Sequence, residues 1–155
     1  MLDTLIIFGA KYLYLVVAAL TIYFFFRLSR SQKQSFLILS VVSLPLIFIA
    51  SRLVSHLYFD PRPFVVGHFT SLVPHAADNG FPSDHTLLVA ACAALMFVYN
   101  RKASYIIGFI ALLVGLSRVA AGVHHLVDII GSIVIAIIVT ALVQLILKRQ
   151  KLVRY

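Results

Sequence analysis

The chain has 155 residues, of which 62% are hydrophobic and only 12% charged, and its mean hydropathy is +1.04. A water-soluble domain carries roughly 25% charged residues, so this composition excludes the ordinary globular class and points to one integral membrane domain, residues 1–155. A net charge of +8 invites a nucleic-acid partner, but its distribution along the chain argues against one.

Five apolar segments follow in chain order. The first covers 4–26, broken only by Lys11. Its length, the acidic start at Asp3 and the lack of a small-residue cleavage site predict a retained helix rather than a leader. Lys11 is expected to snorkel or to pair within the bundle. The second covers 35–57, with Pro45 predicting a kink that neighbouring helices tolerate. A long connection to Pro82 holds four of the five prolines. The remaining segments cover 83–99, 103–120 and 124–147. Each is within reach of the roughly 17 to 25 residues that span a bilayer, so a bundle of about five transmembrane helices is expected. The single Cys92 excludes an internal disulfide.

Charge then sets the topology. Arg27, Arg30, Lys33, Arg101, Lys102, Lys148, Arg149, Lys151 and Arg154 are nine of the thirteen basic residues, and a five-helix layout puts them all on one side. Lysine and arginine mark the cytoplasmic side. The opposite side receives all five acids (Asp3, Asp60, Asp78, Asp84 and Asp128) and all six histidines (His56, His68, His75, His85, His124 and His125). Arg52, Arg62 and Arg118 fall at or near that same face. Such segregation in so apolar a chain marks a site, because titratable groups near hydrocarbon are costly.

Three blocks compose it. In "DPRPF", Arg62 is held between two prolines; "FPSDH" places Pro82 and Ser83 at a helix start; "SRVAAGVHHLVD" carries Ser117, Arg118, His124 and Asp128. His124 and Asp128 are four residues apart on one helical face, so the carboxylate can orient the imidazole. Two guanidiniums, a hydroxyl and a helix N-terminus make a cradle for phosphate oxygens. An oriented imidazole is a nucleophile for phosphorus, and a second histidine can move the leaving group's proton. Taken singly, Arg62 reads equally as an interfacial arginine, Ser83 as a plain cap, and His124 with Asp128 as a buried polar pair. His75 and Asp78 in "PHAAD" are too few to read as a metal site, and His68 and His125 read as interfacial.

The pattern resembles the type-2 phosphatidic acid phosphatase superfamily, whose signature joins Lys, six residues, Arg-Pro, then Pro-Ser-Gly-His, then Ser-Arg, five residues, His, three residues, Asp. Its counterparts are Arg62-Pro63, Pro82-Ser83-Asp84-His85, and Ser117-Arg118 through His124 to Asp128. The wording of "YFDPRPF" and "GFPSDHT" is most similar to the bacitracin-resistance type of undecaprenyl pyrophosphate phosphatase. The resemblance implies His124 as a nucleophile that becomes phosphohistidine, His85 as general acid then base, and Asp128 as the partner of His124. It implies that Arg62, Ser83 and Arg118 hold phosphate. Two positions depart from it. The family lysine falls at Ser55, for which Arg52 or His56 can stand in, and the motif glycine is Asp84.

The expected activity is hydrolysis of a terminal phosphate from a membrane lipid phosphate or pyrophosphate, with no metal and no cofactor. The bilayer and the lipid phosphate are the partners read. Undecaprenyl pyrophosphate leads as substrate, ahead of the lipid A 1-phosphate and phosphatidylglycerol phosphate. A phosphotransferase on the same scaffold and a small transporter or channel subunit are the rivals. A transporter calls for polar groups at mid-membrane, which are scarce here. The site is expected to face the periplasm or exterior of a bacterial cytoplasmic membrane.

Overall fold

The computed structural model describes residues 1–153, so Arg154 of the basic set lies outside the described residues. The described chain is all α, without strands: α1 (Leu2–Lys11), α2 (Leu13–Phe26), α3 (Arg30–Leu57), α4 (Pro63–Val66), α5 (Asp84–Phe97), α6 (Arg101–Ala120) and α7 (Leu126–Arg149). The starts have local causes. Ser29 and Gln32 close a reciprocal capping box at α3, and the Asn100 side chain accepts the Ala103 N–H at α6. Helix α3 continues through Pro45 as one element of 28 residues.

Two of the five expected spans take a different form. Residues 4–26 become α1 and α2, bent by 49° across Tyr12. Residues 83–99 yield only the 14-residue α5, because Ser83 is extended and the chain unwinds after Phe97. At about 1.5 Å per residue, α5 is about 21 Å long, short of a hydrocarbon core of roughly 30 Å. Among the described residues, three helices (α3, α6 and α7) are long and apolar enough to cross, giving up to four spans if the bent pair counts as one. Helix α5 does not need that length. It is packed by α2, α3, α6 and α7 and buries Thr86, Leu87, Val89, Ala90, Ala91, Leu95 and Met96, so its neighbours cover most of it and leave Leu88 and Phe97 exposed.

Burial is inverted relative to a soluble protein. Leu44, Phe48, Ile137, Leu142 and many other large apolar side chains are exposed, while Ser43, Ser51, Ser132 and Thr140 are buried. An apolar surface of this extent needs lipid around it. Buried residues at four-residue spacing, Ser43, Ile47 and Ser51 on α3 with Ser132, Ala136 and Thr140 on α7, make the stripes through which these helices pack, small residues on α7 leaving room for Ile47. One apolar cluster joins Leu28, Phe36, Met96, Ala103, Val143 and Leu147, which places the basic termini of α2, α3, α6 and α7 at the same end. The other end gathers α4, the 67–83 connection and the termini of α5, α6 and α7.

Candidate active site

Arg62 is 4% exposed, and its guanidinium organises that second end. Its Nε donates to Asp78 Oδ1 at 2.7 Å, Nη1 to the Val123 carbonyl at 2.9 Å, and Nη2 to the Asn79 carbonyl at 3.3 Å. Nη1 also lies 3.3 Å from His124 Nε2. Arg118, at the last turn of α6, reaches the same atom with Nη2 at 3.4 Å. Its Nη1 donates to the Ala10 carbonyl at 3.2 Å, a group left outside the helical ladder by the bend at Tyr12. The break in the first apolar segment therefore serves the site.

Guanidiniums only donate, so the Nε2 they approach carries the lone pair and Nδ1 carries the proton. That proton meets Asp128 Oδ2 at 3.1 Å, and the same oxygen accepts the His125 N–H at 2.9 Å. Burial holds the His124 pKa below the ordinary 6.5, even though the Asp128 hydrogen bond works against it. The imidazole is neutral at pH 7, with its free lone pair facing two buried cations. Arg118 Nε and Asp128 Oδ1 are buried without a partner among the described residues. An unpaired buried donor is costly, so Arg118 Nε stands ready for an acceptor atom brought by a ligand.

Backbone geometry delivers His124 to this point. Gly122 has φ +76°, and a Cβ there would stand 2.5 Å from the Phe69 ring, so only glycine fits the turn out of α6. Val123 and Ala121 then bury with Val73 and Ala10, fixing the loop beneath α1.

The remaining residues singled out in the sequence distribute around this centre. Ser83 is fully buried; its Oγ accepts from Thr86, and its carbonyl accepts from Ser132 Oγ at 3.0 Å. It caps no backbone N–H with its side chain. His85 stands within electrostatic reach of Arg118, His124 and Asp84, with the Tyr14 ring edge-on at 5.2 Å. The His75 ring is 6.0 Å from that of His124, and burial together with the Arg62 charge lowers its pKa. Burial works to raise the Asp78 pKa, but its bond to Arg62 holds it below the usual carboxylate value. Asp84 pairs with Arg52 across the α3–α5 gap. His68 lies apart, on an exposed turn with φ 52°.

Residues 54–151 match the PAP2 superfamily. The chain belongs to that superfamily. It is 35% identical over 138 residues to undecaprenyl-diphosphatase BcrC of Bacillus subtilis (strain 168), covering 89% of this chain and 71% of that protein. Its fold is similar to Aquifex aeolicus LpxE, with a TM-score of 0.63 and 23% identity over 92% of this chain and 85% of the other. It is also similar to a transmembrane PAP2 type phosphatidylglycerolphosphate phosphatase from Bacillus subtilis (TM-score 0.57, 23% identity, 98% and 76% covered). The chain is thus an all-helical membrane member of a lipid phosphatase superfamily.

Against the PAP2 pattern, Ser55 carries no cation but a structural bond. Its Oγ and carbonyl accept from Asn79 Nδ2 at 3.1 and 2.9 Å. Asn79 is the residue the sequence reading missed. Its amide also donates to the Tyr58 carbonyl and accepts the Asp60 and Phe81 N–H groups, so one side chain knots α3 to both site loops. An asparagine before glycine signals a turn, but not these partners. Asp60 with His125 was missed likewise: His125 Nδ1 is 2.9 Å from Asp60 Oδ2. Burial, then the Asp128 charge, raises the Asp60 pKa. Asp60, His125 and Asp128 bring ligand-type atoms within 4.8 Å of one another, a carboxylate-imidazole group that no linear spacing announced. Of the two Asp128 oxygens, Oδ2 is engaged by His124 and by the His125 N–H, while Oδ1 has no hydrogen-bond partner among the described residues.

Proposed function

We propose that this PAP2 protein removes a terminal phosphate from a membrane lipid phosphate or pyrophosphate through a phosphohistidine at His124. The observation that carries the reading is the convergence of two buried guanidiniums on the unprotonated Nε2 of an imidazole held by Asp128. The terminal phosphate enters between Nε2 and the guanidiniums, which exchange their contact with nitrogen for its oxygens. Nε2 donates its lone pair to phosphorus, and the bond from phosphorus to the bridging oxygen breaks in line. His85, entering the step as imidazolium, protonates that oxygen and is left neutral. The imidazole now carries phosphorus on Nε2 and a proton on Nδ1, and Asp128 offsets the resulting positive charge. Water then attacks phosphorus, gives its proton to His85 and releases inorganic phosphate, restoring Nε2. Fixed cations stabilise the charge spread over the transferring oxygens throughout.

Undecaprenyl pyrophosphate is the substrate best supported, through the 35% identity to an undecaprenyl-diphosphatase over most of both chains. Phosphatidylglycerol phosphate and the lipid A 1-phosphate are the competing substrates on the same scaffold. Side-by-side initial rates of phosphate release on the three lipids in detergent, with and without chelator, test the reading. Hydrolysis of the pyrophosphate is expected to be fastest and to persist in chelator, since guanidiniums meet the phosphate charge. Loss of activity in chelator with recovery on adding magnesium or zinc would overturn the metal-independent route.

The site is proposed to face the periplasm or exterior of a bacterial cytoplasmic membrane. Its end of the bundle lies opposite the basic termini of α2, α3, α6 and α7. With impermeant thiol labelling of intact cells, Thr70→Cys is expected to react and Ser31→Cys to stay protected. The reverse pattern would invert the topology.

A further inference from the structure

The two departures from the PAP2 pattern touch the same side chain. Asp84 replaces the motif glycine, and the lysine one would expect at Ser55 is missing, yet Arg52, one turn before Ser55 on α3, pairs with Asp84. The Arg52 guanidinium also lies over the Phe48 ring, 5.0 Å from its centroid, which limits where it can swing. We propose that Arg52, held by Asp84, binds the second phosphate of a lipid diphosphate, the one that departs with the lipid, and so makes the enzyme selective for diphosphates. The inference rests on the proposed phosphatase reading and deepens it.

In-line transfer fixes which cations serve which phosphate. Arg62 and Arg118 both face His124 Nε2 and take the phosphoryl group being transferred. The leaving oxygen lies on the side away from Nε2, with His85. When a diphosphate reacts, the bond from the terminal phosphorus to the bridging oxygen breaks, and that oxygen leaves with its electron pair on a lipid phosphate. His85 supplies the proton, but the departing phosphate still carries negative charge that a lipid alcohol would not. Asp84 lies close enough to His85 and to Arg118 for its charge to act on both, so the Arg52 cation it holds stands beside the site, within reach of the group that departs past His85. Without Arg52, Asp84 would set an unbalanced negative charge beside that phosphate.

Exposure makes the exchange feasible. The side chains of Arg52 and Asp84 are 44% and 67% exposed, and exposed ion pairs are weak, so a phosphate competes readily for the guanidinium. Arg62 has no such freedom, being buried and tied to Asp78, Val123 and Asn79.

The test uses the whole chain in detergent, with undecaprenyl pyrophosphate as substrate and two product inhibitors, undecaprenyl phosphate and inorganic phosphate. Arg52→Ala is expected to lower kcat/KM on the order of 10- to 100-fold, the usual range for a lost charge-assisted contact. It should weaken inhibition by undecaprenyl phosphate to a similar degree and leave inhibition by inorganic phosphate within about twofold, since Arg62 and Arg118 remain. Arg52→Lys, which retains the cation, should recover most of the loss and controls for folding. Asp84 is a positioning residue, so Asp84→Ala should raise KM with little change in kcat. The double variant should be no worse than Arg52→Ala. Equal weakening of both inhibitors would place Arg52 in the transferred-phosphate cradle and overturn the proposal, as would no change in either. Failure of the phosphatase reading itself would look different, with no phosphate released by the unaltered protein.

Discussion

Replacing His124 with alanine is expected to abolish turnover and phosphoenzyme together. Nε2 is the atom on which both buried guanidiniums converge, and no other imidazole nitrogen among the described residues is so placed. Loss of a nucleophile that acts with its partners as one unit costs on the order of 10⁴- to 10⁶-fold in kcat. Acid-quench trapping of labelled phosphate on the protein, with a lipid carrying label in its terminal phosphate, checks the intermediate directly. Asp128→Asn should keep the fold but remove the carboxylate that fixes the Nδ1 proton, with a loss on the order of 10⁴-fold by analogy with other carboxylate-imidazole pairs. Near-native activity in His124→Ala would remove the phosphohistidine route.

Arg62→Lys is expected to lose nearly as much as Arg62→Ala. Charge alone does not reproduce this residue. Its planar fork donates simultaneously to Asp78 Oδ1, to the carbonyls of Asn79 and Val123, and toward His124 Nε2. An ammonium is a compact point charge on a flexible stem and cannot reach all four directions. Kinetics should show a fall in kcat/KM of at least about 10²-fold for the lysine variant, because phosphate contact and loop position fail together. Limited proteolysis between Phe69 and Asn79 should accelerate in both variants, as that loop loses its tie to Arg62. A lysine variant with unchanged kinetics would reduce Arg62 to a mere positive charge.

Much of this was legible in the chain itself. Composition and apolar runs determine an all-helical membrane protein, because unsatisfied backbone groups are too costly in hydrocarbon for any other arrangement of such segments. The spacing Ser117-Arg118 to His124 to Asp128 determines the oriented imidazole, since residues four apart share a helical face. Clustering of acids, histidines and three arginines at alternate loop positions determines at which end these polar side chains gather.

Tertiary structure decided the rest, because it depends on contacts between residues far apart in sequence. Apolar length cannot tell a spanning helix from a central one, so α5 reads as a span although its neighbours shelter only 14 residues of helix. Nothing in residues 4–26 announces the bend at Tyr12; its consequence is the Ala10 carbonyl offered to Arg118, 108 positions along the chain. The knot made by Asn79 with Ser55, Tyr58, Asp60 and Phe81, and the pairing of Arg52 with Asp84, arise only when α3 and α5 are brought side by side. Local pattern fixes which face of a helix a side chain occupies, whereas packing selects the partner it meets.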